Sequence, residues 1–258
     1  MPGREAVNRR EAVGRLRPFV ERARTFSGWS FDDVAPEPLG PGLPWDYGMR
    51  ATELLVRAAS ALDMGTGGGE RFAELSAGYR GRGVATEEWG TNVPVAKTRL
   101  APHGVEVVRA RSLRLPFRNG AFALVLNRHE ELDPAEVGRV LAPGGTVLTQ
   151  QVGRDDWKEL RSFFPRMQDF GPLLERYAAG FREVGLIVDR SDTSDVSVAY
   201  RGLGELVFML CVAPWTISEF DPLGQDLETL IDLEERLSGR QGLVLTESRF
   251  LIEAHKPG

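Results

Sequence analysis

The chain is short of several things that would narrow its chemistry at once. It has one cysteine in 258 residues, Cys211, so no disulfide can form within it and a reducing compartment suits it. The apolar neighbours of that cysteine, FMLCVAPW, make it a core residue rather than a reactive thiol. Histidines number three, His103, His129 and His255, and lie far apart in sequence, which argues against a metal site. No run approaches the ~18 apolar residues of a membrane helix. The first residues, MPGREAVNRREAVGRL, carry charge where a secretory leader would carry an apolar core. These absences predict a cytoplasmic protein with no membrane partner. Basic residues are also outnumbered, 32 Lys and Arg against 37 Asp and Glu, a net charge of −5. That balance argues against a nucleic-acid partner, which needs a basic face.

What is present is an α/β pattern around one stretch, Ala61–Glu70, ALDMGTGGGE. An apolar run ends on Asp63, and glycines follow at 65, 67, 68 and 69, the pattern of a buried strand, a tight turn and a helix start. Before it, residues 4–25 place Val7, Val13, Leu16, Val20 and Ala23 at helical spacing. The Pro- and Gly-rich residues 27–46 read as an extended connector that puts Trp29, Trp45 and Tyr47 outside regular structure. Helices are expected over 49–60, 70–77, 93–100 and 134–141, the last capped by Asp133, and strands over 61–64, 81–86, 105–108, 122–126 and 146–152. Past residue 152 the expected helices are 157–164, 173–184, 202–212 and 223–237, and the strands are 186–188, 196–200 and 249–254. The expected fold is a doubly wound, mostly parallel, seven-stranded Rossmann-like sheet with a helical N-terminal extension and a C-terminal cap. Its divisions are an N-terminal helix and connector acting as a lid (1–48), a cofactor-binding half (49–152), and the rest of the sheet with a substrate cap (153–258).

A glycine turn after a buried first strand presents backbone N–H groups and a helix N-terminus to the crevice at the strands' C-terminal ends. An acidic residue about 20 positions on suits a ribose diol. Glu87 is that residue, with Glu88 beside it. Two cofactor classes use the arrangement, dinucleotides and S-adenosylmethionine. The spacing here is G-x-G-x-G, with Asp63 before it and Glu70 after it. Two carboxylates there would repel a pyrophosphate and suit a cationic sulfonium ligand.

Over about residues 50–152 the chain resembles the class I S-adenosylmethionine-dependent methyltransferases. Four motifs in register carry the resemblance: ALDMGTGGGE, ATEEW, RARSLRLPFRNGAFALVLNRHEEL and RVLAPGGTVL. It implies that Asp63, Gly65, Thr66, Gly67 and Gly69 hold the methionine part of the cofactor and Glu87 the ribose. Glu88 and Trp89 would flank the adenine, Ser112 and Leu113 would reach its edge, and Asn127 would face the sulfonium. Arg111 and Ala123 depart from the family pattern, each standing where an aspartate is usual.

NRHEEL, residues 127–132, follows the fourth strand, where the acceptor would meet the methyl group. His129 is the candidate general base, since imidazole titrates near neutral pH, with Glu130 to orient it or contact substrate. The alternative for His129 is a structural cap of the turn. Trp45, Tyr47, Arg50 and Trp215 are candidate substrate-binding residues, with loop-to-core packing as the alternative. The resulting expectation is methyl transfer from S-adenosylmethionine, with S-adenosylhomocysteine as product, to O, N or C of a small-molecule acceptor by a monomer or homodimer. Methylation of RNA or protein is the runner-up. A cofactor-binding regulatory protein without turnover and a dehydrogenase are the remaining alternatives.

Overall fold

A computed structural model describes residues 2–31 and 33–258, with side chains described from residue 9 onward; the expected inward position of Val7 lies outside that range. The elements in order are α1 (Pro2–Arg24), β1 (Glu37–Leu39), α2 (Tyr47–Arg57), β2 (Ser60–Met64), α3 (Glu70–Leu75) and β3 (Arg82–Glu87). Next come α4 (Asn92–Leu100), β4 (Glu106–Arg109), β5 (Phe122–Arg128), α5 (Pro134–Val140), β6 (Leu141–Val152) and α6 (Leu173–Glu183). β7 (Ile187–Tyr200), α7 (Leu203–Val212), α8 (Leu227–Leu237), β8 (Ser238–Gly239) and β9 (Gly242–His255) complete the chain.

One sheet runs in the order β1-β7-β9-β6-β5-β2-β3-β4, with β8 attached to β9. The five strands from β6 to β4 are parallel, and β9 is inserted antiparallel between β6 and β7. The architecture is the mixed α/β, Rossmann-like sheet expected from the sequence. β5 shows why its centre is parallel: Phe122, Leu124, Val125 and Leu126 are all buried, as a strand covered on both faces requires. One face packs Leu55, Phe72, Ala96 and Leu100 over Leu124, Leu126 and Leu148. The other packs Val137, Tyr177 and Phe181 over Phe122, Val125 and Val147. Asp46 caps α2 by accepting from Met49 N at 2.9 Å, and Asp133 caps α5 by accepting from Ala135 N at 2.9 Å.

A third cluster lies to one side of the sheet. Ala12, Leu16 and Val20 of α1 pack on Leu203, Leu206 and Val207 of α7, with Leu227 and Leu230 of α8 beside them. The two ends of the chain therefore share one core. Burying a leucine such as Leu16 contributes about 1.5–3 kcal/mol. Among the described residues no helix is long and apolar enough to cross a membrane.

The sheet has nine strands where seven are expected, β6 and β9 begin earlier than expected, at Leu141 and Gly242, and β8 is additional. Other departures have local causes. The strands expected at 186–188 and 196–200 are one strand, β7, paired with β9 from Ile187 to Tyr200. Residues 189–195, DRSDTSD, have no apolar face, so hydrogen bonding to β9 alone holds them extended. The helix expected at 157–164 is a 3₁₀ turn over Lys158–Ser162, preceded by Trp157 in the left-handed region at φ 48°. The helix expected from residue 223 starts at Leu227, because Asp226 instead accepts Asp221 N at 2.8 Å and Arg166 Nη2 at 2.6 Å. The connector is not wholly irregular: Glu37–Leu39 adds an edge strand to β7, where Pro38 is tolerated.

Candidate active site

The glycine turn lies where β2 ends, beside β3 and β5. Gly65, Gly67 and Gly69 take φ values of 68°, 62° and 80°, a region that side-chain-bearing residues rarely adopt. Gly67 N donates to Glu87 Oε2 at 2.8 Å, and Trp89 N donates to Glu87 Oε1 at 2.7 Å. Glu87, at the end of β3, thus ties the turn to the next strand and is buried. A Cβ on Gly65 would overlap the side chain of Glu130, and one on Gly67 would sit 2.9 Å from Trp29 Cβ. Glu130 therefore lies against the turn from the β5 side, and Trp29 covers it from the connector.

Three carboxylates meet here. Burial pushes Asp63 up to about 7, opposed by Arg128. Burial also pushes Glu130 up to about 7, with Ser112 hydrogen-bonding to it and opposing the rise, and Glu87 and Glu88 adding repulsion. Glu87 is raised by burial as well, although the N–H groups of Trp89 and Gly67 favour its anion. Such a cluster is suited to a ligand that brings positive charge. Glu70 is not part of it. Glu70 pairs with Arg99 and accepts Trp29 N at 3.3 Å, so the carboxylate expected to favour a cationic ligand holds the connector instead.

His129 follows β5 with φ 61°, unusual for a non-glycine residue, and its N–H donates to Gln150 O at 2.8 Å. Its ring Nε2 lies 3.3 Å from Gln150 Nε2. Trp45 Nε1 donates to Gln150 Oε1 at 2.8 Å, and since an indole N–H can only donate, this fixes which end of the amide faces His129. The amide nitrogen therefore donates to Nε2, and the proton of the neutral ring sits on Nδ1. Burial, Arg128 and Arg249 hold the His129 pKa well below its ordinary value. The ring is held by Gln150; Glu130, expected to orient it, lies on Gly65 instead.

The remaining candidates divide. Asn127 is buried at the end of β5 beside Met64, with Oδ1 accepting from Thr149 Oγ1 at 2.7 Å and Nδ2 without a partner. Thr66 Oγ1 is buried and directed at the Asp63 carboxyl, whose rise it opposes. Ser112 is buried, whereas Leu113 and Trp89 are exposed. Glu88 pairs with Arg111 at 2.9 Å, so the first departure from the family pattern neutralises a neighbour of the pocket. Ala123, the second, donates its N–H to Ser60 Oγ at 3.0 Å. Trp45 and Tyr47 are buried beside Gln150 and Arg128. Trp215 lies on the other side of the turn, its ring 6.2 Å from Trp29, which covers Gly67, and 6.4 Å from Trp89. Arg50 is spent on structure: its Nε donates to Glu253 Oε2 at 2.8 Å and its Nη1 to Glu53 Oε2 at 2.8 Å, which fastens α2 to β9.

Residues 62–149, from β2 through most of β6, match the family described as the methyltransferase domain. That stretch is the part of the chain with the character of a methyltransferase domain. A curated relative, a 23S rRNA (guanine(748)-N(1))-methyltransferase of Streptomyces fradiae, is 39% identical over 75 residues, 28% of this chain. The chain spans 27% of that relative's length. The cyclase SpnF resembles this chain over 94% of the chain's length and 92% of its own, at 14% identity and a TM-score of 0.58. A geranyl diphosphate methyltransferase solved with its diphosphate substrate and sinefungin covers 81% of the chain and 77% of its own, at 16% identity and a TM-score of 0.50. At such identities these structures show the fold alone.

The residues at this site fit S-adenosylmethionine, the cofactor that the matched family implies. Glu130 and Trp29 approach the turn closely because Gly65 and Gly67 lack Cβ atoms. Asp63 and Glu130 would each gain from a cationic ligand, and the orphaned Asn127 Nδ2 lies at the same strand ends. Three residues of this region carry no expectation from the sequence: Arg71, Arg128 and Gln150. Arg128 stands inside NRHEEL, but its chemistry is overshadowed by the histidine beside it. Nothing local marks the other two.

Proposed function

We propose that the protein transfers a methyl group from S-adenosylmethionine to O, N or C of a small-molecule acceptor. The cluster of Asp63, Glu87 and Glu130 around the glycine turn carries this reading. When bound, the cofactor supplies an electrophilic methyl group on a sulfonium and leaves as S-adenosylhomocysteine. Asp63 holds the ligand's ammonium group, and Glu87, whose oxygens keep lone pairs beyond those used by Gly67 and Trp89, takes the ribose hydroxyls. Trp89, Ser112 and Leu113 bound the adenine, and Asn127 Nδ2 donates to the ligand at the end of β5.

Orientation of the acceptor can supply about 7–11 kcal/mol of the barrier. Proton removal from an O–H or N–H acceptor falls to Glu130, a carboxyl near neutrality set against the turn. His129 positions the acceptor through Nδ1–H, because its Nε2 lone pair is engaged by Gln150 and its cation is disfavoured. Trp45 and Tyr47 would line the acceptor's approach.

The test has two stages. Calorimetry should detect S-adenosylmethionine and S-adenosylhomocysteine; no binding of either overturns the reading. Transfer from methyl-labelled cofactor is then followed over a panel of small acceptors. Glu130→Gln should lower turnover by roughly 10²–10⁴, whereas His129→Asn should act mainly on KM. Cofactor binding without transfer to any acceptor would favour a regulatory protein. RNA is the second reading, favoured by the match to the Streptomyces enzyme. Label entering 23S rRNA but no small acceptor would establish it.

A further inference from the structure

Beside the glycine turn lies a cleft of about 560 Å³ lined by Leu43, Trp45, Tyr47, Arg71, Arg128 and Gln150, with Pro44 and Asp46 at its edge. Its cations outreach its fixed anions: Arg128 lines it and, among the described residues, its guanidinium makes no hydrogen bond or close ion pair, though its charge acts on buried Asp63. Arg71 pairs only with Glu74, at 2.9 Å, and both side chains are about half exposed. Such an exposed pair exchanges readily for another anion. Asp46, the acidic residue of the lining, accepts Met49 N as the cap of α2. Tyr47 is 5% exposed; its buried hydroxyl faces the Asn127 backbone N–H, and its own proton has no acceptor. A buried donor without an acceptor costs about 1–3 kcal/mol unless something completes it. Arg128 and Tyr47 sit at the ends of β5 and the start of α2, so the fold rather than a loop holds them together.

We infer that this cleft is an anion site, which takes one carboxylate or phosphate group on the guanidinium groups of Arg128 and Arg71 with the Tyr47 hydroxyl donating a further bond. Guanidinium forks match two-oxygen anions in shape as well as charge. Trp45 and Gln150 form the adjoining wall, and Gln150 also holds His129, so the anion lies one residue away from the positioned imidazole. Two molecules could present that anion. One is the cofactor, through the carboxylate of its amino-acid end. The other is an acidic acceptor. The existence of the site does not rest on the methyl-transfer reading; its source does.

The experiment compares wild type, Arg128→Gln, Arg71→Gln and Tyr47→Phe, each first shown to fold by circular dichroism. S-adenosylhomocysteine and its analogue lacking the carboxylate are titrated into each by calorimetry, and inorganic phosphate is titrated into the protein loaded with that analogue. If wild type prefers the carboxylated ligand by roughly 10–100-fold and Arg128→Gln erases the preference, the anion is the cofactor's. If the two ligands bind alike while phosphate binds wild type and is lost in Arg128→Gln, the anion belongs to the acceptor. Arg128→Lys should restore part of either effect. The inference is overturned if ligand preference and phosphate binding are the same in wild type and all three variants. Failure of both nucleoside ligands to bind wild type would remove the methyl-transfer reading, while phosphate titrated into the ligand-free proteins would still judge the cleft.

Discussion

The backbone N–H of Gly67 donates to Glu87 Oε2 at 2.8 Å, joining two strands' C-terminal ends through one carboxylate. The second oxygen accepts from Trp89 N at 2.7 Å. An amide offers one acceptor oxygen and would turn its NH₂ towards the other donor. Glu87→Gln is therefore expected to leave one buried N–H unpaired. The loss of a charged hydrogen bond, about 1.5–3 kcal/mol, should weaken S-adenosylhomocysteine binding by roughly 10–100-fold in calorimetry. Unchanged affinity would separate Glu87 from the cofactor.

Gly65 combines a φ of 68° with a neighbour, the Glu130 side chain, that a Cβ would overlap. Left-handed backbone costs a side-chain-bearing residue about 1–2 kcal/mol. Gly65→Ala should thus lower stability by at least that amount and lower cofactor affinity. In the double variant Gly65→Ala with Glu130→Ala the overlap is gone and the φ cost stays. Denaturant unfolding should show the double variant less destabilised than the sum of the singles.

Asp63 and Glu130, each near 7 when buried, set the pH dependence of cofactor binding. A bound sulfonium and ammonium favour the ionised carboxylates, so binding releases protons below about pH 7. Affinity for S-adenosylmethionine should rise from pH 6 to 8 and level off above. Affinity independent of pH, or calorimetric heats independent of buffer ionisation enthalpy at pH 6.5, would remove the carboxylates from the ligand site. The same groups act on stability in the opposite sense. Their protonated forms are favoured by folding, so that contribution is fully present below about pH 4 and lost as pH rises through about 7.

His129 carries the reverse sign. Its folded pKa is held well below the ordinary value of 6.5, so its contribution is present above that pH and lost as pH falls, by up to about 1.4 kcal/mol per pH unit. His129→Asn removes the titration, and asparagine tolerates the positive φ better than most residues. Urea unfolding at pH 7.5 and 5.5 should show wild type losing stability relative to the variant on acidification. A constant difference would mean that His129 titrates normally.

The parts legible in advance share a cause. The glycine turn, the strand before it and Glu87 about 20 residues on lie in one βαβ unit, where backbone conformation and short-range spacing carry the information. β5 was legible because burial on both faces writes a continuous apolar run. β7 was not, because an alternating polar strand at the sheet's edge has no apolar signature and depends on pairing with β9. The spacing around Trp157 predicts a helix start, and no local signal marks its left-handed backbone.

Local chemistry specifies a parallel α/β sheet, a turn that needs glycine, and acidic residues at the adjoining strand ends. Tertiary packing sets which distant side chains share a space. It brought Trp215 to Trp29 and Trp89, spent Arg50 on Glu253 and Glu70 on Arg99, packed α1 against α7, and left Arg128 facing Arg71 and the Tyr47 hydroxyl. Arginines and apolar helix faces are alike in sequence whether they end in an ion pair, a core or a cleft. Their partners are chosen by how the layers pack, and no local pattern records that choice.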